Sequence, residues 1–191
     1  MKPFPVLGVL LGLLLAGCAA TGVYYPNSAS PGAEKPEDAS REKWYRENVA
    51  RLKQRLLSLQ ESVDEAEAGL AAETAIRESA ILAEQYRLVR PARFHNLLIQ
   101  MGLKERGLCY QWTEDLMKRL SALQLQTLEL HWGVAHRGSD LFEHNTVVIA
   151  ARGAGFHQGL VLDPWRNSGE LYWDAVSEDP YPWKPLPPSE W

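Results

Sequence analysis

A chain of 191 residues is long enough to bury a sizeable core in one domain with extensions to spare. Its net charge of −4, with no Lys/Arg-rich stripe along it, leaves no basic footprint and excludes nucleic acid as an expected partner. The hydrophobic fraction of 46% is ordinary for a globular protein, and part of it belongs to an apolar run at the N-terminus.

That run extends from Val6 to Ala16 behind Lys2, too short to span a bilayer comfortably and of the length of a signal-peptide core. It closes on Leu15-Ala16-Gly17-Cys18. Charge, apolar run, small residues and cysteine in this order resemble the lipobox of bacterial lipoprotein signals. The resemblance implies that residues 1–17 are removed and that Cys18 carries a lipid, its link to the membrane. Ala19, where an Asp would signal retention, then implies an outer-membrane location facing the periplasm. Only one other cysteine exists, Cys109. In an oxidising compartment an odd cysteine reads as a reactive thiol or, more plainly, as a buried small hydrophobe. Residues 18–40, rich in Ala, Ser, Pro and Gly without apolar period, read as the lipidated cysteine and a flexible tether.

Residues 41–90 read as a helical arm. A helix is expected from Arg41, with Ser40 as N-cap. Tyr45, Val49, Leu52, Leu56, Leu59, Val63, Ala66 and Leu70 alternate spacings of four and three, the seam of a coiled coil or helical hairpin. Gly69 marks the expected turn, and Ala71 to Val89 the second helix, stopping before Pro91. An intramolecular hairpin is the favoured reading, and self-association as a coiled coil is the alternative.

Residues 91–178 hold the remaining pattern. Phe94, Leu97, Leu98 and Met101 give a short helix between Pro91 and Gly102. Its His95 reads as a satisfied structural histidine. A second helix carries Cys109 at its start, just after Gly107, and runs to about Leu123. A helix N-terminus offers unpaired N–H groups and the positive end of the dipole, which favour thiolate. The period then turns extended: strands are expected over 127–136, 144–151, 159–162 and 170–175, joined by short turns and so antiparallel. The tail, 179–191, is rich in proline and tryptophan and is expected to wrap the surface without regular structure.

Helices first and then a sheet is an α+β arrangement: an N-terminal helical hairpin or coiled coil, then helices packed on a small antiparallel sheet. Gly107-Leu108-Cys109, the Glu143-His144-Asn145 start of an apolar strand and Leu162-Asp163-Pro164-Trp165 together resemble the transglutaminase-like branch of the papain-fold cysteine hydrolases. The resemblance covers about Pro91 to Ala175 and implies Cys109, His144 and Asp163 as a catalytic triad.

The chemistry needs these residue types in this order. A thiolate is the nucleophile, an imidazole within reach takes its proton, and a carboxylate behind the imidazole holds its tautomer. His144 opens one strand and Asp163 closes the next, and an antiparallel pairing sets those ends side by side. The Cys109 backbone N–H would meet an oxyanion, with a second donor left open; Gln111, two residues into the helix, fits poorly. Asp140 and Asp174 are rival acids, and His131, His136 and His157 rival bases. Ligand spacing for a metal is lacking, and no cofactor is expected. Two classes of function stand open. One is a periplasmic thiol-dependent amide-bond hydrolase or acyl transferase acting on a protein or a peptidoglycan peptide. The other is a non-catalytic envelope lipoprotein that uses the same fold as a protein-binding module.

Overall fold

The computed structural model describes residues 36–139 and 141–191, so Cys18, the leader and most of the tether, together with Asp140, lie outside the described residues. Helices α1 (Pro36–Leu57), α2 (Glu65–Gln85), α3 (Ala92–Gln100) and α4 (Cys109–Ser121) precede strands β1 (Leu128–Ala135), β2 (His144–Ala151), β3 (Leu160–Asn167), β4 (Glu170–Ala175) and β5 (Lys184–Leu186). The strands form one antiparallel sheet in the order β4-β3-β2-β1-β5. The α+β expectation holds.

The first two helices pack on one another, but their turn lies elsewhere than expected. Ser40 sits inside α1, which starts at Pro36, and the chain turns over 58–64 instead of at Gly69. Asp64 decides this. Extended at φ −70° and ψ 136°, it accepts the N–H groups of Ala66 and Glu67 on Oδ1, each at 2.9 Å, and starts α2 there. Glu65 and Glu67 follow in the first turn, where the helix dipole favours negative charge. Glu67 also accepts the backbone N–H groups of Gln126 and Thr127 at 2.6 and 2.8 Å, fastening the entry to β1 onto α2.

The new helix start resets the phase of the heptad seam. Leu52 and Leu56 are buried, but Leu70, meant to continue the seam, is 46% exposed. The buried face of α2 instead sets small residues, Ala68, Ala71, Ala72, Ala75 and Ser79, beside Ile76 and Leu82, and packs on α1 and α4. Gly169, at φ +92° in the β3–β4 turn, packs on the same helix. A Cβ there would stand 2.4 Å from the Cβ of Ala83.

Strand β2 is buried along its whole length because both its faces are covered. Val147 and Ile149 join Trp112, Leu116 and Leu120 of α4 in the main core. Val148 points the other way, into a smaller cluster with Val161, Phe156, Val176 and Trp183.

Trp183 corrects the expectation for the tail. Residues 184–186 pair with β1, Pro185 opposite Gly133, so the tail supplies an edge strand. Proline is tolerated there because an edge strand leaves one row of N–H groups unpaired in any case.

The split of the seam is directly measurable. Leu56→Ala should destabilise the protein by about 2–5 kcal/mol in urea unfolding, the cost of a buried leucine cavity. Leu70→Ala should stay within about 0.5 kcal/mol of the parent. Equal losses at both positions would mean that the continuous seam, and not the turn at Asp64, describes the arm.

Candidate active site

The peptide before Cys109 is held by side chains from three directions. Gly107 has φ +128°, and a Cβ there would meet the His95 ring at 2.6 Å, so no other residue fits without displacing that ring. His95 is fully buried. Its Nδ1 accepts the Val89 N–H at 3.1 Å and its Nε2 donates to the Arg106 carbonyl at 2.8 Å. That is the structural role expected of it. From inside α4, Gln111 Oε1 turns back to accept the N–H groups of Gly107 and Leu108 at 2.8 and 3.1 Å. Trp112 Nε1 donates to the Gly107 carbonyl at 2.9 Å. Gln111 is thereby committed to the helix start, in keeping with its poor fit as an oxyanion donor.

These bonds set Cys109 at the first helical position, half-buried, where its own N–H has no intrahelical acceptor. The sulfur lies 3.8 Å from the carbonyl oxygen of Glu143 and 4.0 Å from Asn145 Nδ2. The helix start therefore docks against the first residues of β2. Residues 144 and 145 face opposite sides of the sheet, so the sulfur sits at the strand's end between two differently built surfaces.

On one surface stands His144, buried and hydrogen-bonded to Asp163 through Nε2 at 2.6 Å. Cys109 is its other polar neighbour and helps to raise its pKa, and Nδ1 is the ring nitrogen left to face that thiol. The histidine and the aspartate are not directly opposed across the strands. Pairing of Val147 with Leu162 places Asp163 opposite Thr146, so His144 reaches it on the diagonal, two residues along the same face. The ring is enclosed by aromatics, with centroids of Trp165, Tyr181 and Trp183 at 4.8, 5.0 and 5.5 Å. Trp165 is steadied by Asn96 of α3, whose Oδ1 accepts its indole N–H at 3.2 Å.

Asp163 has no solvent exposure, and its oxygens are fully engaged. Oδ1 accepts the Arg166 backbone N–H at 3.0 Å, and Oδ2 accepts Arg166 Nε at 3.0 Å beside the imidazole. Arg166 in turn binds Asp179 through Nη1 at 2.8 Å and lies over the Tyr172 ring at 3.9 Å. Burial works against charge on Arg166, but Asp179 and Asp163 hold it above its ordinary range. The sequence reading missed Arg166, Asp179, Tyr181 and Trp183. The spacing of Asp163 and Arg166 was the one available signal. Asp179 and its neighbours fell in the tail set aside as surface wrapping.

The rival residues lie in other company. His131 Nε2 is 3.3 Å from Glu129, His157 packs edge-on to Phe156, and Asp174 accepts the Ala175 N–H at 2.8 Å. His136 packs on Tyr181 at 6.2 Å. Among the described residues no group of three or more His, Cys, Asp or Glu is placed to hold a metal. A groove of about 470 Å³ between α1 and the β3–β4 hairpin, with Trp44, Arg51, Tyr172 and Trp173 in its walls, is not lined by Cys109 or His144.

No protein-family model matches the chain, and no curated protein or solved structure is detectably similar to it. What the described residues define is an α+β chain in which a sulfur, an imidazole and a buried carboxylate stand in series.

Burial alone would discharge His144. Hydrogen bonds to Asp163 and to Cys109, and the negative charge of those partners, outweigh it and push the pKa up to about 9. A raised histidine pKa stabilises the folded state fully below the unfolded value, about 6.5, and that stability is lost as pH rises through about 9. Between about pH 6 and about pH 10, the parent should therefore lose more unfolding free energy than His144→Gln does. Parallel stability profiles for the two proteins would show that the imidazole carries no such charge.

Proposed function

We propose that this chain is a lipid-anchored thiol enzyme of a bacterial envelope, an amide-bond hydrolase or acyl transferase with Cys109 as nucleophile, His144 as base and acid, and Asp163 as the orienting carboxylate. The observation that carries the proposal is His144, buried between the Cys109 sulfur and the Asp163 carboxylate, its Nε2 at 2.6 Å from Oδ2. The order of these residues on a helix start and two neighbouring antiparallel strands supports a papain-like, transglutaminase-like reading of the domain.

His144 takes the Cys109 proton, and the thiolate attacks the amide carbon. As the tetrahedral intermediate collapses, the imidazolium protonates the departing amine and a thioester remains on Cys109. Water, giving its proton to His144, then releases an acid and completes hydrolysis; an amine in its place completes transfer. Asp163 keeps Nε2 protonated, so the nitrogen facing the sulfur is the one that exchanges protons. A protein or a peptidoglycan peptide is the substrate class that an envelope location offers. The location rests on Leu15-Ala16-Gly17-Cys18, with the lipid on Cys18 and the body in the periplasm at the outer membrane. No helix among the described residues is long and apolar enough to cross a membrane.

The second reading is a non-catalytic envelope lipoprotein. Phe94, Leu97, Met101 and Leu103, exposed along and just after α3, favour it as a surface for a protein partner. Self-association through a coiled coil has less support, because Leu52 and Leu56 are buried within this chain.

Iodoacetamide labelling at about neutral pH separates the two. Cys109 should alkylate readily, and His144→Ala should slow it by about 10-fold or more through loss of the proton acceptor. Asp163→Asn, if it remains folded, should slow acyl turnover by about 10²-fold or more, as expected when the imidazole loses its orienting acceptor. A Cys109 that is inert, or indifferent to His144→Ala, leaves only the binding-module reading.

The anchor has its own test. The parent should fractionate with membranes, whereas Cys18→Ser should release the body or accumulate an unprocessed form. Membrane association of Cys18→Ser equal to that of the parent would refute the lipidation.

A further inference from the structure

The surface opposite His144 at the end of β2 is formed by Asn145, and its amide has only one chemically sensible orientation. Trp132 of β1 directs its indole N–H at the Asn145 side chain at 2.7 Å. An indole nitrogen can only donate, so the atom facing it must be Oδ1, the acceptor. Nδ2, carrying two N–H bonds, is thereby turned the other way. It stands 4.0 Å from the Cys109 sulfur and 3.5 Å from Glu143 Oε1, a carboxylate whose other oxygen is held by the Gly138 N–H at 2.7 Å.

Trp132 and Asn145 are both buried, and Trp132 belongs to the main core. The amide is thus held on rigid strands and is not free to swing. Its 4.0 Å to the sulfur is at the outer limit of a hydrogen bond to that atom, and leaves space for an oxygen one bond beyond a carbon attached to it.

We propose that Asn145 Nδ2–H is the second donor of an oxyanion hole, the first being the backbone N–H of Cys109, and that Trp132 is the positioning residue that aims it. The proposal rests on the reading of Cys109 as an acyl-accepting nucleophile. When the sulfur attacks a carbonyl, the S–C bond forms and the π pair moves onto oxygen. That oxygen then receives Nδ2–H from the sheet and N–H from the helix start. Collapse of the intermediate re-forms the C=O bond and expels the leaving group with its bonding pair. His144 lies on the opposite side of the strand, so proton transfer and charge stabilisation come from separate faces.

Two reagents separate this role from a structural one. p-Nitrophenyl acetate acylates the sulfur through an oxyanion and releases nitrophenolate. Iodoacetamide alkylates it by displacing iodide at a saturated carbon, with no oxyanion. Asn145→Ala should lower the first-turnover burst of nitrophenolate by at least about 10-fold, towards the 10²–10³-fold typical of a lost oxyanion donor, and leave alkylation within about 2-fold of the parent. Because Asn145→Ala orphans a buried indole N–H, the double variant Trp132→Phe/Asn145→Ala provides a second background without that defect, and the same split is expected in it. Trp132→Phe alone should show a smaller split of the same sign. Parallel loss of both reactions, or no loss of either, in the folded variants would overturn the oxyanion role while leaving Cys109 a nucleophile. Failure of the parent to react with either reagent would instead remove the enzyme reading and this proposal with it.

Discussion

A carboxylate with no solvent exposure sits at the base of this structure, and its compensation dictates much of what surrounds it. Removing an ionised carboxylate from water costs several kcal/mol unless its oxygens are paired. Asp163 obtains its partners from near and far along the chain: an imidazole from the start of β2, a guanidinium and a backbone N–H just beyond Pro164, and through that guanidinium a second carboxylate, Asp179, from the C-terminal segment. Two negative and two positive groups can then share one dry region. The same network fixes Nε2 as the proton-bearing nitrogen of His144 and leaves the other nitrogen to the sulfur.

Helix and sheet divide the work of the site. The sulfur is placed by backbone geometry: a left-handed Gly107, the His95 ring beneath it, and Gln111 and Trp112 bonding back to the turn that precedes them. The imidazole and the amide are placed by strand register, His144 towards Asp163 and Asn145 towards Trp132. The two sets meet where α4 packs on β2. Rigid elements on both sides suit chemistry that depends on sub-ångström placement.

The aromatic enclosure gives His144 its character. Trp165, Tyr181 and Trp183 exclude water from the ring, which strengthens every hydrogen bond made there and would also discharge an unpartnered imidazole. Only the carboxylate and the sulfur turn that burial to the favour of the charged form. Two of the three rings come from the C-terminal segment, whose edge strand on β1 anchors it.

Local pattern in the sequence determined the α+β class and the exact bounds of β2 and β4, because periodicity and turn chemistry are short-range signals, whereas Cys109, His144 and Asp163 were singled out by their order along the chain and by a family resemblance. It also made Gly107 noticeable without saying why, since the reason is a histidine ring twelve residues earlier. Where one local signal competed with another, the reading erred. Gly69 stood out as a turn, yet Asp64 and its two capping bonds started the helix at Glu65, before that glycine. Tertiary structure alone decided the rest. The diagonal meeting of His144 with Asp163 depends on register, and the tie from Arg166 to Asp179 on a contact across 13 residues. The orientation of Asn145 depends on an indole in another strand. The tail became part of the site because Pro185 and its neighbours found the open edge of β1, a partner that no pattern within the tail could announce.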